Sequence, residues 1–259
     1  MSYTGLKLEL RDHTALVTLA NPPAHTWTVD SLTALAALVR ELNERREVYV
    51  LVITGEGEKF FSAGADLNAF ADGNKMRAAQ MVKRFGEAFE ALAACRGLSI
   101  AAINGYAMGG GLECALACDL RVAESHALMG LPEAAVGLLP GAGGTQWLSW
   151  TVGESWAKRM ILLGERVDAE TALRIGLVDE LVPEGQGLAR ALAMAEQVQK
   201  QSPSSVAACK QLINGARHLP PHQQLAAERT AFIRLFDTED QREGVSAFLQ
   251  KRAAQWVNR

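Results

Sequence analysis

Ile103–Gly144 reads INGYAMGGGLECALACDLRVAESHALMGLPEAAVGLLPGAGG, and this stretch decides the fold. It enters from Leu98–Ile103, an apolar run with the continuous character of a buried strand, which ends near Asn104-Gly105. Three glycines, Gly109-Gly110-Gly111, then open a predicted helix from about Gly110 to Cys118. Short strands are predicted near Leu120–Ala123 and Ala127–Gly130. Two glutamates stand out. Glu113 opens the apolar run Leu112–Leu120, and Glu133 follows Leu131-Pro132 at the head of Ala134–Leu139. Apolar surroundings destabilise the charged carboxylate and raise its pKa toward values useful for proton transfer at neutral pH.

The same pattern extends in both directions. Leu6–Leu10 and Ala15–Ala20 read as strands around a polar turn, and Val48–Thr54 as a buried strand ending at Gly55. Between them, Leu32, Leu35, Leu38, Val39 and Leu42 share one face of a helix over Ser31–Leu42, with Asp30 or Ser31 as its cap. Met76–Ala94 is a further helix. Alternating strands and helices predict an α/β fold built from crossover units. After Gly144 the character turns helical, with Glu154–Leu163, Asp168–Ile175, Gly187–Gln201, Ser204–Ala216, Gln223–Phe236 and Glu239–Trp256, plus a short Leu177–Val182 segment. The break at Gln201-Ser202-Pro203 divides a core over 1–200 from a C-terminal helical region over 201–259.

Composition narrows the function. In 259 residues, 49% hydrophobic and 21% charged, a core large enough to fold without disulfides or metals is expected. A net charge of −3 gives no general attraction to nucleic acid or an anionic membrane. Cys95, Cys114, Cys118 and Cys209 form no dense framework and read as reduced thiols of a cytoplasmic protein. The N-terminus lacks the pattern of a secretory leader, and no run of about 18 apolar residues suggests a membrane span. His218 and His222 flank Pro220-Pro221, and the prolines spoil the helical register a metal-binding pair needs. No metal site is expected.

Two loops offer backbone amides. In Phe60–Asp66, Gly64 permits a tight approach that leaves the amide of Ala65 free; Gly109–Gly111 places unsatisfied amides at a helix start. Convergence of the two would build an oxyanion hole. The local alternative is that both are turns and that Glu133 merely decorates a helix start. For Glu113, the helix start lowers the pKa while apolar burial raises it, and the sequence leaves the sign open.

Four ordered motifs carry a resemblance: FSAGADL at Phe61–Leu67, INGYAMGGGLECALACD at Ile103–Asp119, LPEAAVGLLPGAGGTQ at Leu131–Gln146 and EGVSAFLQKR at Glu243–Arg252. On them the chain resembles the enoyl-CoA hydratase/isomerase (crotonase) family, the hydratases in particular. The resemblance implies a superhelix of ββα units with a C-terminal helical trimerisation region, assembled as a homotrimer or a hexamer of paired trimers. It implies syn hydration of trans-2-enoyl-CoA, with Glu113 and Glu133 as the acid–base pair and the Ala65 and Gly110 amides as the oxyanion hole. Substrate or CoA contacts are implied at Ala63, Ala65, Asp66, Leu67, Gly110, Phe232, Phe248 and Lys251. The basic segment Arg242–Arg252 suits the anionic CoA tail, which belongs to the substrate, so no separate cofactor is expected. Within the family, an isomerase could work with Glu133 alone; outside the enzymes, an acyl-CoA-binding subunit without turnover is the other reading. Asp66 itself reads as a cap or turn acceptor. Departures from the family pattern are NPPAHTWTVDSL in place of an asparagine-alanine-leucine run, Asn68 for a lysine, Leu131 for a glutamine and Trp147 for an arginine.

Overall fold

The computed structural model describes residues 3–259. Strands β1 (Leu6–Arg11) and β2 (Thr14–Leu19) form an antiparallel hairpin and are followed by helix α1 (Val29–Glu44). A ββα unit then recurs. The strand pairs are β3 (Val50–Gly55) with β4 (Phe60–Ser62), β5 (Leu98–Ile103) with β6 (Tyr106–Met108), and β7 (Leu120–Glu124) with β8 (Leu128–Gly130). The helices that follow them are α2 (Lys75–Ala93), α3 (Gly110–Ala117) and α4 (Gly144–Leu162).

The first strand of each pair joins a large sheet in the order β1-β2-β3-β5-β7, and the second joins a small sheet in the order β4-β6-β8. Pairing is parallel from β2 onward in the large sheet and across β4, β6 and β8 in the small one. β9 (Val167–Asp168) then closes the small sheet antiparallel to β8, and β10 (Glu180–Val182) adds to the large sheet parallel to β7. Helices α5 (Ala169–Arg174), α6 (Gly187–Gln199), α7 (Pro203–Gly215), α8 (Pro221–Leu235) and α9 (Glu239–Leu249) complete the chain.

The continuous apolar runs fit this placement because β3 is buried along its whole length, covered on both faces. The main core gathers α1, α2 and α3 on one face of the large sheet. A second cluster of Val50, Val52, Ile100 and Val122 packs with Ala191 and Ala195 of α6 on the other face, where Trp256 also rests. The helix starts differ from expectation at α1. Thr28, not Asp30 or Ser31, is its cap, and Thr28 and Ser31 form a reciprocal capping box. The predicted Glu154–Leu163 helix is the second half of α4. Gly153, at φ 77°, breaks the helical geometry, and an earlier half beginning at Gly144 went unread because glycines open it.

The predicted run Glu239–Trp256 stops at Leu249. Lys251 takes a positive φ of 54°, Arg252 turns back onto Glu243, and Asp240 binds the amides of Val257 and Asn258. These side-chain contacts reward a returning tail over a longer helix.

Candidate active site

The two glycine loops meet. A Cβ on Gly64, whose φ is +93°, would lie 2.7 Å from the carbonyl oxygen of Met108 and 3.1 Å from the nitrogen of Gly110, so only glycine allows this approach. Residues on either side of Gly64 are pinned: Ala63 N–H donates to Ala24, Trp27 N–H to Gly64, and Asp66 N–H to Trp27, all through backbone oxygens. The amides of Ala65 and Gly110 donate to no acceptor among the described residues. Behind Gly110 stands an aromatic wall. Phe85 Cε1 and Trp27 Cδ1 lie 2.8 and 3.4 Å from where a Gly110 Cβ would be, and both rings pack edge-on against Phe89.

Glu113 projects from the first turn of α3 and is 3% exposed. Its Oε1 accepts the N–H groups of Ala142 and Gly144, each at 2.8 Å. Burial pushes the carboxyl up to about 7; the two amide bonds oppose that rise and the neighbouring Glu133 adds to it. The sign left open by the sequence is thus decided by desolvation. Glu133 starts a 3₁₀ turn, Glu133–Val136, so its place at a helix start is real. It is also turned inward. Its Oε1 would lie 3.0 Å from a Cβ on Gly109, its Oε2 is buried without a hydrogen-bond partner, and burial raises its pKa.

The structure therefore brings Ala65, Gly110, Glu113 and Glu133 to one place. Asp66 caps the 3₁₀ turn Leu67–Phe70 by accepting from Asn68, the turn role its sequence suggests. Leu67 is exposed at the rim, as are Val136, Leu138 and Leu139 beyond Glu133. Phe232, Phe248 and Lys251 are not gathered in. Phe232 and Phe248 are 61% and 83% exposed, and α8 packs chiefly on α7. The basic character of Arg242–Arg252 is also reduced, because Arg252 is held bidentate by Glu243, whose carboxyl falls to about 2. The sequence reading missed Ala142 and Gly144; the signal was PGAGG, whose residues leave the backbone bare.

A cleft of about 940 Å³ lies elsewhere, between α7 and the ends of α2 and α3, and neither glutamate lines it. It holds none of the convergent amides or raised carboxyls, so the chemistry is assigned by the side chains. No cluster of histidine, cysteine or carboxylate side chains among the described residues could hold a metal, and no helix there is long and apolar enough to cross a membrane.

Glycine-tight amide loops beside one buried carboxylate, Glu113, and one half-buried carboxylate, Glu133, hung on paired sheets of ββα units, define the crotonase fold class. Residues 9–259 match the family model described as enoyl-CoA hydratase/isomerase, and the chain belongs to that family. It is 41% identical over 247 residues to the 2,3-dehydroadipyl-CoA hydratase of Escherichia coli, covering 94% of this chain and 95% of that one. It is 36% identical over 253 residues to the short-chain-enoyl-CoA hydratase of Clostridium acetobutylicum, covering 97% of both. Among solved structures, Pseudomonas aeruginosa DspI superposes with a TM-score of 0.95 at 62% identity, over 97% of this chain and 96% of that one. An enoyl-CoA hydratase from Bacillus anthracis gives 0.95 at 33% identity, over 98% and 100%.

Proposed function

We propose that the protein hydrates trans-2-enoyl-CoA thioesters to 3-hydroxyacyl-CoA by syn addition of water. The observation that carries this reading is the pair of inward-facing carboxyls with raised pKa values, one of them at about 7, beside two unpaired amides. The Ala65 and Gly110 N–H groups bind the thioester oxygen as it gains negative charge; loss of one such donor costs about 3 kcal/mol. Ionised Glu113 takes a proton from water as its hydroxyl bonds to Cβ. Protonated Glu133 delivers a proton to Cα as the enolate collapses, and solvent returns the pair to its starting state. Burial raises both carboxyls, Glu113 to about 7, and a raised pKa suits a group that exchanges protons at neutral pH. The apolar rim at Leu67, Val136, Leu138 and Leu139 supports an acyl chain as the ligand. CoA enters as part of the substrate, with no separate cofactor.

We also propose assembly as a homotrimer or paired trimers, supported by the exposed Phe232 and Phe248 on α8 and α9; in that arrangement a neighbouring subunit's site receives them together with Lys251. Four unpaired cysteines support a reducing, cytoplasmic setting. The deciding experiment mixes purified protein with crotonyl-CoA, follows loss of the conjugated thioester absorbance and analyses the product. Catalytic formation of 3-hydroxybutyryl-CoA is expected. Migration of a 3-enoyl double bond without water uptake would make the protein an isomerase, and tight binding of the thioester without turnover would make it a binding subunit.

A further inference from the structure

Glu113 is held by a turn that has almost nothing of its own to hold it. Ala142, Gly143 and Gly144 carry no side chain longer than a methyl, yet the two amides flanking Gly143 both reach Oε1 of Glu113 at 2.8 Å. Gly143 sits at φ +99°, a conformation from which a bare backbone relaxes easily. One large side chain covers it. A Cβ on Gly143 would lie 2.6 Å from Cε3 and Cζ3 of Trp147 and 2.9 Å from Cδ2, so the six-membered part of the indole fills the space above the glycine. The amide of Trp147 donates to the carbonyl oxygen of Gly143 at 2.8 Å, so ring and backbone grip the same residue. On the other side, the position of a Gly144 Cβ is walled by Pro140 and Leu131 at 2.8 and 3.0 Å.

We propose that Trp147 is a positioning residue for the reaction: its indole clamps the Gly143 turn and thereby seats the Ala142 and Gly144 amides on the Glu113 carboxylate. Trp147 touches no reacting atom. It acts through the two hydrogen bonds, and misplacement of a catalytic group by about 1 Å is enough to cost up to about a hundredfold in rate. This inference rests on the reading of Glu113 as the group that activates water.

Trp147→Ala and Trp147→Phe test it with two readouts. The first is the titration of the Glu113 carboxyl in the free protein, followed by ¹³C NMR of δ-labelled glutamate and assigned through Glu113→Gln. The second is hydration kinetics across pH. With the amides loosened, Trp147→Ala raises the titration point of Glu113, moves the acidic limb of kcat to higher pH and lowers kcat about tenfold to a hundredfold with KM little changed. Trp147→Phe, whose ring still covers part of Gly143, restores most of both. An unmoved titration overturns the proposal. A downward shift overturns it too, because the ring would then be excluding water instead of seating amides.

Gly143→Ala drives a methyl into the same ring and supplies a second route should Trp147→Ala not fold. Paired with Trp147→Phe, its effect on the titration must be non-additive; simple additivity sinks the contact as the cause. The titration is read without turnover. A wild-type protein that fails to hydrate therefore removes the functional reading while the NMR result still decides the role of Trp147.

Discussion

Glu113 and Asp240 are both carboxylates almost without solvent exposure, 3% and 1%, and they sit at opposite ends of the molecule's electrostatics. Glu113 receives two amides on a single oxygen, and burial drives its carboxyl up to about 7. Asp240 ties the C-terminal tail to α7. It accepts the Ser204 hydroxyl at 2.7 Å and the amides of Val257 and Asn258 at 3.0 Å each, with further donors at Ser202 and the Ser204 amide. Desolvation also pushes Asp240 upward, but the donors together outweigh it and hold the carboxyl below its ordinary value. Burial alone therefore does not set a carboxylate's charge. The number of donors and the oxygens they reach decide whether the site serves as a titrating group or a permanent anchor.

The comparison breaks most visibly at Glu113→Gln, which keeps an amide oxygen for Ala142 and Gly144 but loses the titrating group. Hydration of crotonyl-CoA is expected to fall about 10³-fold with the fold retained, measured as kcat alongside far-UV circular dichroism. Near-wild-type turnover would remove Glu113 from the mechanism. The stability of the same variant tests the electrostatic half. A folded-state pKa raised from 4.5 to about 7 gives stability that is complete below pH 4.5 and lost as pH rises to 7, at a cost of about 3 kcal/mol above it. Glu113→Gln thus raises the urea midpoint at pH 8 and leaves it nearly unchanged at pH 4.5; equal gains at both would separate burial from charge.

Asp240 has the opposite sign. Its lowered pKa gives stability present above the unfolded value of 3.8 and lost as the pH falls below it. Asp240→Asn is expected to destabilise by about 2 kcal/mol at pH 7, read from urea unfolding, and by progressively less in acid, because the buried donors lose their charged acceptor. The smallest effect sharpens the counting argument. Ser204→Ala removes one hydroxyl donor and costs about 1 kcal/mol, with the Asp240 carboxyl moving upward in a ¹³C titration. An unmoved carboxyl would show that the remaining amides already suffice.

Much of the architecture is legible from local pattern. The alternation of apolar strands with amphipathic helices gave the crossover units, and the runs at Leu98–Ile103 and Met76–Ala94 match β5 and α2 closely. The short second strands β4 and β6, three residues each, carry too little pattern to be read, so the ββα order came only with the family resemblance. The site was half legible. Gly64 and Gly109–Gly111 mark loops that only bare backbone can form, and Glu113 and Glu133 stand out against apolar neighbours. The early half of α4 was hidden by its opening glycines and the break at Gly153, which mask helical periodicity. In the basic tail read at Arg242–Arg252, Arg252 is tied to Glu243, a pairing that forms only after the chain turns back beyond α9.

The sequence by itself determined the strands of the large sheet and most of the helices packed on them, the two glycine-rich loops and the two carboxylates set among apolar neighbours. Those depend on residue type and spacing over a few positions. Tertiary structure decided that Glu113 titrates near neutrality, that residues 29 and 31 positions away supply its amides, and that Trp147 covers the turn between them. The physical reason is range. Backbone conformation follows from neighbours along the chain, whereas solvation and hydrogen bonding at a buried charge follow from whichever distant segments close around it.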